Sequence, residues 1–483
     1  MLNDAASERT GFGLLSLYSI LHYLLIPFVL FRLFWRGFKA PAYWERWPER
    51  FGFGRPVDAP EPRIWIHAVS VGEVQAAVPL VHALFARYPG AHIVVTTTTP
   101  TGAARVADAF GATVEHRYLP YDLPDCVRRF LDRVTPSLAG ILETELWPNI
   151  LHACRGRAIP ILLVNARLSE KSARAYRRIG GITRNMLADI SGIAAQERAD
   201  ADRLIALGAD PHRVRVTGSI KFDIKLRASL REEGQVIRRY WGMNRSVWIV
   251  ASTHEGEEEQ ILDAFGVVRK SVPDCLLVLV PRHPERFAKV DALVRRRGYN
   301  TLLRSKLFLS GDSDKPLVLH EDHDHAPHAA SGFSDNTHAE IKDANIDARI
   351  DVFIGDTMGE LPMLYAASDV AFVGGSLVPV GGHNMLEPAA LGLPILFGPH
   401  VFNFAQIAHN LREQGAAKQV ENKTELATAT VMFLEDANLR HGMGEKARLF
   451  VEDNRGALER VMVLISDTKT AKSKAKYSYH ISA

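Results

Sequence analysis

At 483 residues the chain is too long for one compact domain and suits two or three. Its 47% hydrophobic and 23% charged residues are those of an ordinary globular enzyme, and a net charge of +3 gives no support for a nucleic-acid partner. Cys126, Cys154 and Cys275 are scattered without any C-x-x-C, which argues against a disulfide framework or a zinc site and fits a reducing compartment.

The first 36 residues read as a membrane anchor. From Thr10 to Phe31 there is no Asp, Glu, Lys or Arg, a run long enough to cross a bilayer as a helix. Asp4 and Glu8 precede it, while Arg32, Arg36, Lys39, Arg46 and Arg50 follow, so the rest of the chain is expected in the cytoplasm. The basic flank on that side and the lack of an A-x-A-like site argue against a cleaved signal peptide; a buried or interfacial helix is the other reading of the run. After the run, aromatic and basic residues interleave, a composition suited to the headgroup zone.

From Arg63 onward β and α patterns alternate. Strands are expected at 64–67, 93–98, 138–142, 161–164, 192–195 and 214–217, and again at 247–251, 275–280, 352–354, 370–373 and 395–397. This is the grammar of two parallel, doubly wound α/β domains, 37–225 and 226–465, expected to face each other across a cleft. In such sheets ligands collect at the carboxyl ends of strands, so the loops leaving strands are where chemistry is expected.

In the first domain, SVGE delivers Glu73 at a helix start, where it could serve the helix dipole or act as a base. LETELWPN carries Glu143 and Glu145, which share one side if the chain there is extended. Arg167 follows the next strand and could pair with such a carboxylate or with a ligand anion; Lys221 follows the last. In the second domain, Ser252 and Thr253 offer hydroxyls before a helix start with acidic residues. PRHPERF brings Arg282, His283 and Arg286 past a strand end as a phosphate-binding fork, and Met358 and Gly359 form a surface on which a flat base could rest.

The stretch 370–399, VAFVGGSLVPVGGHNMLEPAALGLPILFGP, reads as strand, glycine loop, helix start and strand. Gly375, Ser376 and Asn384 lie on the loop, and Glu387 is placed about one turn into a helix spanning 384–391, with backbone N–H groups and a helix start seating a phosphate. Such loops also occur for purely structural reasons. The polar segment 305–350, with His320, His323, His325, His328 and His338, reads as a surface insertion, and 466–483 as a disordered basic tail.

Taken in order, SVGE at 70–73, LETELWPN at 142–149, NARLS at 165–169, PRHPERF at 281–287 and GGHNMLEP at 381–388 resemble the 3-deoxy-D-manno-octulosonic acid (Kdo) transferases, family 30 glycosyltransferases of the GT-B fold. The resemblance implies an inverting transfer of Kdo from CMP-Kdo to a lipid A precursor, at the cytoplasmic face of the bacterial inner membrane, with no metal or other cofactor. It implies Glu73 as general base, acidic residues by the acceptor at Glu143 and Glu145, and a nucleotide pocket drawn from Arg282, Gly375, Ser376, Asn384 and Glu387, to which Ser252, Met358 and Gly359 are added from their places after strands. Arg167 and Lys221 join the acceptor side. A sugar-nucleotide 2-epimerase of the same fold is the alternative; it needs neither anchor nor acceptor.

Overall fold

The computed structural model describes residues 2–224, 226–307 and 350–481. The described chain forms two compact units, one of residues 1–223 with 454–483 and one of residues 224–453. The histidines of the polar segment all lie outside the described residues.

The first unit is built on a seven-stranded parallel sheet: β1 Arg63–His67, β2 His92–Thr97, β3 Glu115–Tyr118, β4 Leu138–Leu142, β5 Ile161–Ala166, β6 Gly192–Ala195 and β7 Val214–Val216. Their order is β3-β2-β1-β4-β5-β6-β7. The second sheet holds β8 Val247–Thr253, β9 Leu276–Pro281, β10 Thr301–Leu303, β11 Val352–Ile354, β12 Val370–Val373, β13 Ile395–Phe397 and β14 Ala417–Gln419, in the order β10-β11-β9-β8-β12-β13-β14. The central strands read as continuous apolar runs because helices cover both faces; Ile64, Trp65 and Ile66 are buried, as are Trp248, Ile249 and Val250.

Chain direction across each sheet reverses at one place, between β1 and β4 in the first unit and between β8 and β12 in the second. There the connections leave to opposite sides and open a crevice at the carboxyl edge.

Strands β3, β10 and β14 were not expected from the sequence. Each is a sheet edge, three or four residues long, and β3 (EHRY) is mostly polar, so hydrophobic periodicity is lost where one side of the ladder is unpaired. The chain's end also differs from the expected second-domain boundary at 465 and disordered tail. A helix Ala457–Ile481 returns to the first unit, burying Ala457, Val461, Leu464 and Ile465 in the same core as Ile64 and Ile66. Asp223 caps it, its carboxylate accepting from Gly456 N and Leu458 N at 2.6 Å each.

Candidate active site

In the first unit the loop leaving β1 turns directly into the helix Val71–Arg87. Ser70 caps that helix, and Glu73 folds back so that its Oε2 accepts from Val69 N at 2.7 Å and its Oε1 from the Ser70 hydroxyl at 3.1 Å. This is close to a capping box, and it fixes the carboxylate's direction. Glu73 is only 8% exposed. Burial, reinforced by the charges of Glu143 and Glu145, pushes its pKa up from 4.5 to about 7.

Glu143 and Glu145 leave β4, the strand beside β1 at the switch point. The extended conformation that would put both on one side is broken at Glu143. Glu143 takes a left-handed conformation, φ 56°, which turns the chain sharply at the strand end and sets its carboxylate against Lys221 Nζ at 3.2 Å. Burial, with Glu143 nearby, also raises the pKa of Glu145. Asn165 in β5 has φ 57°, and its Oδ1 accepts from Ile220 N at 3.1 Å, which seats the turn that carries Lys221. Two non-glycine residues in this conformation at neighbouring strand ends store backbone strain beside a carboxylate cluster, a pattern concentrated at functional sites. Arg167 is exposed and makes no ion pair among the described residues, so Lys221 takes the partner role considered for it.

In the second unit Ser252 continues the pattern, with φ 60° at a bulge near the end of β8. Next to it, Gly374 leaves β12 so close that a Cβ would lie 2.7 Å from Ser252 O; only glycine fits. The loop that follows is not an open phosphate cradle. The buried carboxylate of Glu257 already accepts from Gly375 N at 2.7 Å, from Ser376 N and Leu377 N at 2.9 Å, and from His254 N at 3.0 Å. Ser376 is buried, its hydroxyl donating to Val373 O and accepting from Gly398 N. The expected helix start is a five-residue helix, Leu386–Ala390, with Glu387 in its first turn, too short to offer a strong dipole.

The groups left open in this unit are side chains. The Asn384 amide donates to Glu387 Oε1 at 3.0 Å, and the charge of Arg282 is felt at Glu387. The Arg282 side chain makes no hydrogen bond or ion pair among the described residues. Arg286, the other arm of the expected fork, is taken by the fully buried Glu258 at 3.0 Å. His254 and His383 meet Nε2 to Nε2 at 2.8 Å with rings 4° from coplanar, so one must donate and the other accept. Burial, with His254, Arg282 and His283 around it, lowers His383 to about 3. This neutral pair beside arginine was not foreseen, because its members lie 129 residues apart. Met358 is exposed and Gly359 has φ 84°; their loop is anchored by Glu360, whose carboxylate pairs with buried Arg304 at 2.7 Å.

The doubly wound units carry carboxylates at one switch point and an arginine–histidine group at the other, and two family models identify the class as glycosyltransferase. Residues 45–224 match "3-Deoxy-D-manno-octulosonic-acid transferase (kdotransferase)" and residues 330–450 match "Glycosyl transferases group 1". A 3-deoxy-D-manno-octulosonic acid transferase from Haemophilus influenzae is 38% identical over 93% of this chain and 97% of its own. The chain belongs to the 3-deoxy-D-manno-octulosonic acid transferase family. Among solved structures, the C-terminal CMP-Kdo binding domain of WaaA from Acinetobacter baumannii is 29% identical, covering 46% of this chain and 96% of that one, with a TM-score of 0.36. The UDP-GlcNAc 2-epimerase of Neisseria meningitidis, bound to UDP-GlcNAc, covers 84% of this chain and all of its own at 12% identity and a TM-score of 0.50, a likeness of fold alone.

Proposed function

We propose that the chain transfers Kdo from CMP-Kdo to a lipid A precursor, the first unit taking the acceptor and the second the nucleotide sugar. The observation that carries this reading is Glu73, a buried carboxylate at a switch point with a pKa of about 7. A base titrating there accepts a proton at neutral pH, as an attacking sugar hydroxyl requires. Glu143, Glu145 and Lys221 hold the acceptor hydroxyls beside it, with Arg167 at the rim.

On the donor side Arg282 and the histidines meet the CMP phosphate, which gains charge as the bond to Kdo breaks. Asn384 and Glu387 take the ribose, with the base against Met358 and Gly359. Ser252, Gly375 and Ser376 shape that pocket through the backbone, held by Glu257. The anomeric centre inverts in a single displacement: the acceptor oxygen bonds to it, CMP leaves, and the hydroxyl proton passes to Glu73. The N-terminal apolar helix ties the enzyme to the inner membrane with both units on the cytoplasmic side, and its length admits a single crossing.

The test is transfer from freshly generated CMP-Kdo to a tetraacylated lipid A precursor by wild type and Glu73→Ala, read by mass spectrometry. Addition of Kdo mass units by wild type, lost in a folded mutant, supports the reading. Isomerisation of a sugar nucleotide without lipid modification by wild type would replace it with the epimerase alternative.

A further inference from the structure

The N-terminal helix, α1 (Leu2–Lys39), contains a stretch, Gly13–Phe38, long and apolar enough to cross a bilayer. A helix alone in lipid would be exposed on all sides. Instead Leu15, Tyr18, Ser19, His22, Ile26, Val29 and Leu33 are buried or half-buried and recur at helical spacing, while Leu17, Leu21, Leu24, Phe28 and Phe31 on the other side are exposed.

The covered face rests on the first unit through specific contacts. A methyl on Gly181 would lie 3.0 Å from Leu14 Cδ1. Ser19 donates to Asn149 Oδ1 at 3.1 Å, Tyr23 to Asp125 Oδ1 at 2.5 Å, and the Tyr18 hydroxyl to Asp122. Asp122 is buried and also accepts from Asn149 N and Ile150 N, so α1 is keyed into the unit's polar framework.

The contacts from Leu14 to Tyr23 extend about 14 Å along the axis, roughly half the thickness of a hydrocarbon core. A crossing helix would therefore carry Asp122, Asp125 and Asn149 into the bilayer with it. It would also carry the start of the helix Gly180–Ala188, where Gly181 lies. Flanking that contact, Lys171, Arg174, Arg177, Arg178 and Arg184 are exposed and have no hydrogen-bond or ion-pair partner among the described residues. Five cations in hydrocarbon are far costlier than the apolar burial gained. At the other end Arg32 and Arg36 are exposed as well.

We infer that α1 does not cross the membrane but lies in its plane as part of the first unit. Its exposed Leu and Phe stripe is sunk into the cytoplasmic leaflet, and the arginines at both ends sit against anionic phospholipid headgroups. This inference rests on the membrane association proposed above and replaces its single crossing. An acceptor lipid that enters from that leaflet would then meet the first unit without leaving the interface.

The test uses the full chain in an envelope-forming host. The three native cysteines are buried, so labelling of an introduced one is read against a quiet background. With Asn3→Cys, an impermeant maleimide should label inverted inner-membrane vesicles and not spheroplasts, matching a control at exposed Thr428→Cys. Labelling of Asn3→Cys from outside spheroplasts would establish a crossing and overturn the inference while leaving membrane association intact. Recovery in the soluble fraction would overturn both.

Binding to vesicles is the second readout. Arg177→Gln with Arg178→Gln should weaken partitioning to phosphatidylglycerol-containing vesicles about fivefold for each arginine and leave phosphatidylcholine binding unchanged. Equal binding of wild type and variant to both would overturn the charge contact and leave the apolar stripe to a second copy of the chain, visible as a dimer in sedimentation.

Discussion

In the first unit the loops leaving β1 and β4 gather three carboxylates, of which Glu143 pairs with Lys221, whereas in the second the loops leaving β8 and β12 enclose one carboxylate with four backbone N–H donors. The positions in the two sheets are equivalent, and what surrounds the buried carboxylate differs: other carboxylates in the first, backbone N–H groups in the second. Burial, with like charges crowded at β1 and β4, raises the proton affinity of Glu73, as the proposed base requires. At β12 the N–H groups that could have met a phosphate are taken by Glu257, and His383 from the same loop meets His254 from the loop leaving β8. In the proposed function the first switch point supplies the base and the second the side chains that bind the donor.

The largest effect that would break this comparison is kinetic. Glu73→Ala should lower kcat for Kdo transfer by about 10³-fold, the weight of a positioned base. A loss under tenfold in a folded mutant would reduce Glu73 to a helix cap.

Next comes Glu257→Ala, which leaves four N–H groups without their acceptor. The cost should be on the order of 3 kcal/mol, lowering Tm by roughly 10 °C. An unchanged melting curve would mean that the glycine loop is held by other contacts.

pH also acts on stability through Glu73. Folding raises the pKa of Glu73 from 4.5 to about 7, so it favours the protonated form. The relative stabilisation is full below pH 4.5 and is lost as pH rises through 7. Glu73→Gln should therefore stabilise the fold by on the order of 2 kcal/mol at pH 8 and by nothing at pH 4, read by denaturant titration. Destabilisation at both would show that the carboxylate's caps outweigh its burial.

The smallest expected effect separates two arginines of one motif. Arg282→Ala should raise KM for CMP-Kdo about tenfold, the loss of one charge-assisted contact, with the acceptor KM unchanged. Arg286→Ala, which strips the buried Glu258 of its partner, should act on Tm. Similar behaviour of the two would restore the fork read from the sequence.

Much of this contrast was legible in the sequence, because buried parallel strands announce themselves as apolar runs and catalytic loops follow them. Glu73, Glu143, Glu145 and Arg282 stand at strand ends where that pattern puts them, and Asn384 and Glu387 lie on and just after the glycine loop. What escaped depends on contacts between distant segments or on backbone conformation. Glu257 looked like one of several acids at a helix start, and nothing in its spacing says that it bends back into a glycine loop 118 residues away. The left-handed turn at Glu143 is carried by strain, which composition does not record. The return of the helix Ala457–Ile481 to the first unit rests on Asp223, an unremarked residue at the end of a loop.

The most direct test of the account is the pH dependence of kcat/KM for Kdo transfer by wild type beside Glu73→Gln. If a buried carboxylate in the first unit is the base, the wild-type profile falls with unit slope below about pH 7, and the variant's residual rate shows no such limb. A limb near pH 4.5, or one that persists in Glu73→Gln, would contradict it.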